Sequence, residues 1–426
     1  MQPDDGTLDR RSFLKAAVAT GGAAALSACL EWTSEPVPTG VSDPSTLPER
    51  QHAWNDSVRT DEYGNVELPK HQTLLYLTLD GEGPPGADAR ETVEAALSTL
   101  DRAYERSHEG LLYSVGYSPA YFDRYDRSLP DSVDLPHPRR LSDFEDPEFD
   151  EQDALLHLAS DRAAVVLEAE EALTGDRETA NGVDVAAKLS DAMTVDDRRT
   201  GFVGAGLPAK HQDVKGIPDG EPVPEKSPLF TGFKAGFRGN QATEDYVTID
   251  EGPFAGGTTK HLANYRQRLA DWYQELDYDE RVMKMFSPEH VAEGLVEGVG
   301  NNLGDASGVS SFLTGLAEDA QQYGHVGHAQ KAGRANRDED GNVRILRRHF
   351  ESTDDDVASL HFPSLQAEMS TFEEVRQAMN GTDLTGNPAI RQRVNNGILE
   401  YIFVRKRGNF LVPPRRHRSL PAPRPD

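Results

Sequence analysis

A chain of 426 residues holds two or three domains of ordinary size and enough material for a large core, which excludes a mini-protein. Asp plus Glu outnumber Lys plus Arg by 72 to 44, and the net charge of −28 is spread along the chain. That sets nucleic acid aside as a partner, because its footprint is a basic face. The acidity comes in scattered pairs and triplets such as Asp354-Asp355-Asp356, and Arg (33) exceeds Lys (11), which together read as the solvated acidic coat of a protein working in high salt.

The N-terminus reads as an address. "DRRSFLK" (9–15) carries a twin arginine, and the small-residue apolar run after it ends in "LSAC". The run is too short to span a bilayer, so residues 1–29 are expected to be a twin-arginine export signal. "LSAC" resembles a lipobox, which makes Cys29 the lipidated first residue of a mature chain anchored to the outer face of the cytoplasmic membrane. Cys29 is also the only cysteine, so neither an internal disulfide nor thiol catalysis is expected. Residues 30–70, rich in Pro, Ser, Thr and Asp, read as a flexible tether.

The folded part follows as strand (71–80), helix (87–107), strand (111–118), strand (153–161), helix (162–173) and a last strand in "RTGFVGAG". The same order returns with strand 256–269, helix 270–286, "ILRRHF" (345–350), strand 357–365, helix 371–381 and strand 401–414. The expected class is α+β, with two ferredoxin-like halves at 71–205 and 206–415, a tail at 416–426, and the two sheets packed around a shared cavity as a dimeric α+β barrel. In "ILRRHF", strand alternation puts Arg347 and His349 on one face and Arg348 on the other. His157, His261 and His361 lie within strands and read as core or surface histidines. "GVGNNLGDASG" (298–308) lacks the context and the lysine of a phosphate loop.

Several segments, in order, resemble the dye-decolourising (DyP-type) peroxidases, haem proteins built from two ferredoxin-like halves. They are "ERQHAWN" (49–55), "LYSVGYSPAYFDRY" with "LPHPRRLSDF" and "DALLHLASD", then "GFKAGFRGN" (232–240), "FAGGTTKHLANYRQRLADW", "ILRRHF" and "FLVPP". The resemblance spans about residues 48–415 and describes an exported, haloarchaeal-like member. It implies a haem b cofactor and a peroxidase that oxidises small organic reductants with hydrogen peroxide, as a possible homo-oligomer. The family's haem ligand is a histidine some eighteen residues before its distal arginine. Here "YGHVGHAQKAGRAN" offers His325 and His328, and His328, nineteen residues before Arg347, is closer to the pattern. Gly232, Phe233 and Gly236 lie in the family's Gly-Phe-x-Asp-Gly segment and are implied at the cofactor. Arg347 corresponds to the distal arginine, a lasting cation suited to peroxide and to the charge that develops as its O–O bond breaks.

The chain departs from the family at one point of chemistry. Ala235 stands where the family has the aspartate that shuttles the peroxide proton, and alanine moves no proton. His349, on the face of Arg347, is then the group expected to carry that proton, while Glu244 and Asp245 are expected as loop acids. The alternative is a haem-binding lipoprotein for haem or iron acquisition.

Overall fold

Residues His71 to Leu79 are buried almost without a gap, which needs a strand covered on both faces and both edges, and the molecule supplies both. In the computed structural model, which describes residues 35–425, β1 (His71–Leu79) pairs antiparallel with β3 (Ala154–Ser160) and β4 (Met193–Phe202). β2 (Leu112–Tyr117) pairs with β3, so the first sheet runs β4-β1-β3-β2. Helix α1 (Ala87–Ala103) buries Val93, Ala96, Leu97 and Leu100 at helical spacing, and α2 (Ala163–Thr174) stops at Gly175, whose φ of 95° ends a helix without strain. Both helices lie on one side of this sheet, packed in a core with Leu75, Leu77 and Leu156.

The second half repeats the plan. β5 (Thr258–Gln267) pairs with β8 (Ser359–Gln366) and β9 (Ile402–Val412). The expected helix 270–286 is broken in two, because Asp277 and Glu280 close a capping box that starts α3 (Tyr278–Met285) afresh. A further helix, α4, covers His328–Ala335, and α5 covers Met369–Asn380. "ILRRHF" splits into β6 (Leu346–Arg347) and β7 (Phe350–Ser352), both paired with β8 in one continuous register. The second sheet is therefore β9-β5-β8 with β6 and β7 at its edge. Single pairings, Glu351 with Phe202 and Leu411 with Tyr117, join the two sheets at both edges. Leu74, Tyr76, Leu155, Leu262, Phe350 and Phe410 fill the space enclosed by the sheets.

Two sequence expectations are corrected. From Glu35 onward the segment read as a tether lies against the body. Trp54 is 2% exposed, Gln51 Nε2 donates to Pro413 O at 2.8 Å, and Gln51 Oε1 accepts from Val115 N at 3.0 Å. The expected tail is held as well, with Arg418 Nη1 on Asp101 at 2.6 Å and Leu420 fully buried. Composition misled here because a few widely spaced large side chains anchor these irregular stretches to partners far away in sequence. Cys29 and the expected signal lie outside the described residues. No helix among the described residues is long and apolar enough to cross a membrane.

Candidate functional site

The register of β6 and β7 on β8 builds the site. Arg347 pairs with Ser364 and Phe350 with His361, so His349 falls opposite Phe362, and the two rings stack at 6.1 Å and 12°. Cross-strand partners share a face, so Arg347 and His349 stand side by side with Phe362 and Leu360. The same face carries His261, whose ring stacks on Phe372 of α5 at 3.8 Å; this is the helix-covered side of the second sheet.

Arg348 points the other way. Its guanidinium donates to His52 O at 2.7 Å and to Asn55 Oδ1 at 3.3 Å, pairs with Glu244, and lies 4.8 Å from the centre of the Trp54 ring. Glu244 also accepts from Trp54 N and Asn55 N, which occupies it away from Arg347, and Asp245 pairs with Arg50.

Arg347 has no carboxylate partner among the described residues. Its Nη2 donates to Asn240 O at 3.0 Å and its Nε to Gln241 Oε1 at 3.3 Å. Gln241 also bridges both backbone groups of Arg347, donating to its O at 2.8 Å and accepting from its N at 3.0 Å. Burial lowers the Arg347 pKa to about 10. His349 is held neutral, its pKa lowered to about 3 by burial and then by Arg347. Its Nδ1 has no hydrogen-bond partner.

His328 opens α4. Burial first, then Lys331, Arg347, Arg376 and His349, lower its pKa to about 3, so the structure brings His328 within electrostatic reach of both residues on the sheet face. Neither ring nitrogen makes a hydrogen bond among the described residues, and Nδ1 is enclosed. The backbone at His328 is clamped from behind. Gly397 has φ of 61°, and a Cβ there would sit 2.9 Å from His328 N, so only glycine allows this approach. Lys331, one turn further along α4, is fully buried and donates to Met379 O at 2.7 Å and Asn396 O at 2.9 Å, which fixes the strand of chain carrying Gly397. His325 belongs to a different setting. Its pKa is lowered by burial and Lys284 and opposed by Glu280.

The glycine segment divides. Phe233 is buried against Phe286, at 5.6 Å edge to face, in the core of the second half, and Gly232 (φ 88°) and Gly236 (φ 80°) shape the turns around it. Ala235 is exposed. The residues of this loop that reach Arg347 are Asn240 and Gln241, which sequence reasoning missed; nothing in their local pattern marks them. Phe362 was also missed, although strand register marks it as the partner of His349.

The described cavities lie elsewhere. One of about 10 Å³ is bounded by His52, Trp54, Ser114, His157, Lys260, Arg348, Pro363 and Leu365, and a surface groove of about 450 Å³ runs between α4 and α5 beside Arg334, Glu374 and Asp383. Neither is bounded by His328, Arg347 or His349.

Residues 69–414 match a family described as "Family of unknown function (DUF7405)". The chain belongs to this family. No curated protein matches the DUF7405 chain. Among solved structures, one described as a DyP-type peroxidase protein from Shewanella oneidensis superposes with a TM-score of 0.52 at 16% identity, covering 86% of this chain and 97% of its own. A DypB variant from Rhodococcus jostii RHA1, solved in complex with haem, gives 0.52 at 18% identity, with 82% and 94% covered. The DUF7405 chain therefore has the α+β, ferredoxin-like fold of DyP-type proteins.

Proposed function

We propose that this chain is a haem b peroxidase of DyP type that oxidises small organic reductants with hydrogen peroxide. One observation carries the reading: on the fold of DyP-type proteins, the segment of β6 and β7 presents an arginine with no carboxylate partner among the described residues beside a neutral histidine, on a face within electrostatic reach of a second neutral histidine that opens α4.

The donor set fits haem. A histidine that ligates iron must be neutral, and His328 is held neutral with both ring nitrogens free of partners among the described residues. Haem, when bound, would be held at its iron by His328 and would supply redox chemistry there. Arg347 then stabilises negative charge on peroxide oxygen from a place where no carboxylate competes for it. Its guanidinium is held in one orientation by Asn240 O and Gln241. His349 accepts the peroxide proton on its imidazole, of which neither nitrogen has a hydrogen-bond partner among the described residues. A proton held there at neutral pH is disfavoured by burial and by Arg347, so His349 returns it readily. Gly232, Phe233 and Gly236 support this site through the core and the loop turns. Export and lipidation at Cys29, motivated by "DRRSFLK" and "LSAC", belong to the same proposal.

The test is the absorption spectrum of protein expressed with haem, with and without peroxide. A Soret band that His328→Ala abolishes or shifts, and that His325→Ala leaves alone, is expected. No Soret band in the parent sinks the reading, and a band with no response to peroxide replaces the peroxidase by a haem carrier.

A further inference from the structure

On the opposite face of the second sheet, in the space enclosed by the strands, polar side chains from both halves converge. Ser114 and His157 are cross-strand partners on β2 and β3, and Lys260 reaches them from β5. Its Nζ lies 2.9 Å from Ser114 Oγ and 3.5 Å from His157 Nδ1. His157 Nε2 meets Gln72 Oε1 at 2.6 Å, and Gln72 Nε2 donates to Pro69 O at 3.1 Å. The amide oxygen of Gln72 accepts, so the His157 proton sits on Nε2 and Nδ1 is left to accept from the lysine. With Arg348, His52 and Trp54 these groups bound the cavity of about 10 Å³, the room of one small guest. Lys260 and Arg348 are each 4% exposed, and Ser114, His52 and His157 each 1%.

The charges here do not balance. Glu244 answers Arg348, but Lys260 has no carboxylate within ion-pair distance among the described residues. Two donors beside the cavity lack partners, one proton of the Lys260 ammonium and Arg348 Nε. The Ser114 hydroxyl, once it has accepted from Lys260, still has its own proton to give. His52 adds no donor: Thr248 Oγ1 donates to Glu244 O, so it accepts from His52 Nε2 at 2.8 Å and leaves Nδ1 unprotonated. A buried ammonium without a counter-ion is costly. Burial, and then Arg348, lower the Lys260 pKa to about 7. Water would satisfy donors but not charge, and a carboxylate, sulfate or phosphate is too large for the space.

We propose that this cavity binds one monatomic, monovalent anion of halide size, held by Lys260 Nζ, Ser114 Oγ and Arg348 Nε, as the counter-ion at the junction of the two halves. The test is a crystal of the full chain grown in sodium bromide, read by anomalous scattering, together with thermal midpoints in sodium chloride and sodium gluconate at equal ionic strength. A bromide peak in the cavity is expected, and the midpoint should rise with the logarithm of chloride concentration. That rise should vanish in Lys260→Met and need higher chloride in Ser114→Ala, which keeps the lysine and its fold. A cavity without anomalous signal at high bromide overturns the proposal, as does the same chloride response in parent and Ser114→Ala. If Lys260→Met does not fold, the bromide peak and Ser114→Ala decide.

Discussion

Arg347 and Arg348 are neighbours with opposite electrostatic settings, and replacing each by methionine should separate them. Arg348 is the partner of Glu244, whose carboxylate is enclosed between Trp54 N and Asn55 N. Removing one member of such a buried pair leaves the other uncompensated, a loss of about 3–5 kcal/mol. Arg347 has only neutral acceptors. Its pKa falls from 12.5 to about 10, which sets the cost of holding it charged at about 3 kcal/mol. Methionine removes that cost and keeps most of the aliphatic stem, while the hydrogen bonds lost to Asn240 O and Gln241 return about 1 kcal/mol each to the balance. Arg347→Met should therefore be neutral or stabilising by about 1 kcal/mol. In calorimetry of the purified protein, Arg348→Met should lower the midpoint by roughly 4–6 °C and Arg347→Met should leave it within about 1 °C. Equal losses in the two variants would refute the assignment of Arg347 as a charge held for chemistry.

His349→Ala should slow the reaction with peroxide in stopped flow by roughly 10²-fold; an unchanged rate ends its role as proton acceptor. Ala235→Asp in that background should restore nothing, because position 235 is exposed. Glu351 is buried between Phe230 N and Gln267, and burial raises its pKa from 4.5 to about 8. The folded state then binds this proton more tightly than the unfolded one, so stability is fullest below pH 4.5 and falls as pH rises to about 8. Glu351→Gln should flatten that part of a denaturation series against pH, and an unaltered slope would show that the group ionises without cost. Cys29→Ser should release the protein from the membrane fraction or leave it unprocessed, and unchanged attachment refutes lipidation there.

The strands were legible because apolar runs such as "LLYL" and "ALLHLA" have one economical fate, and "ILRRHF" was legible because a strand must alternate its faces. The break before α3 was also on view, since "DYDE" has the Asp-x-x-Glu spacing of a capping box. What stayed hidden depends on contacts between distant residues. Asn240 and Gln241 meet Arg347 across more than a hundred positions of chain, and Lys331 reads as an ordinary exposed helical lysine until Asn396 and Met379 enclose it. The glycine segment misled in another way. It marks the right loop, but Phe233 serves the core, and other residues of that loop touch the arginine.

The packing of the N-terminal segment changes the geometry of attachment. Val41 N donates to Asp101 O at 3.0 Å, Glu105 N to Pro38 O at 2.9 Å, and Arg162 Nη1 to Glu35 O at 2.9 Å, so the chain is already docked at its first described residue. A lipid on Cys29 would then lie six residues from Glu35, at most roughly 20 Å of extended chain, where forty residues would have allowed about 140 Å. The body would ride on the headgroups with little freedom to turn. With a net charge of −28 an anionic bilayer would push against it. Lengthening the leash between residues 29 and 35 should therefore change access to bulky or membrane-bound reductants while leaving turnover of small soluble ones untouched.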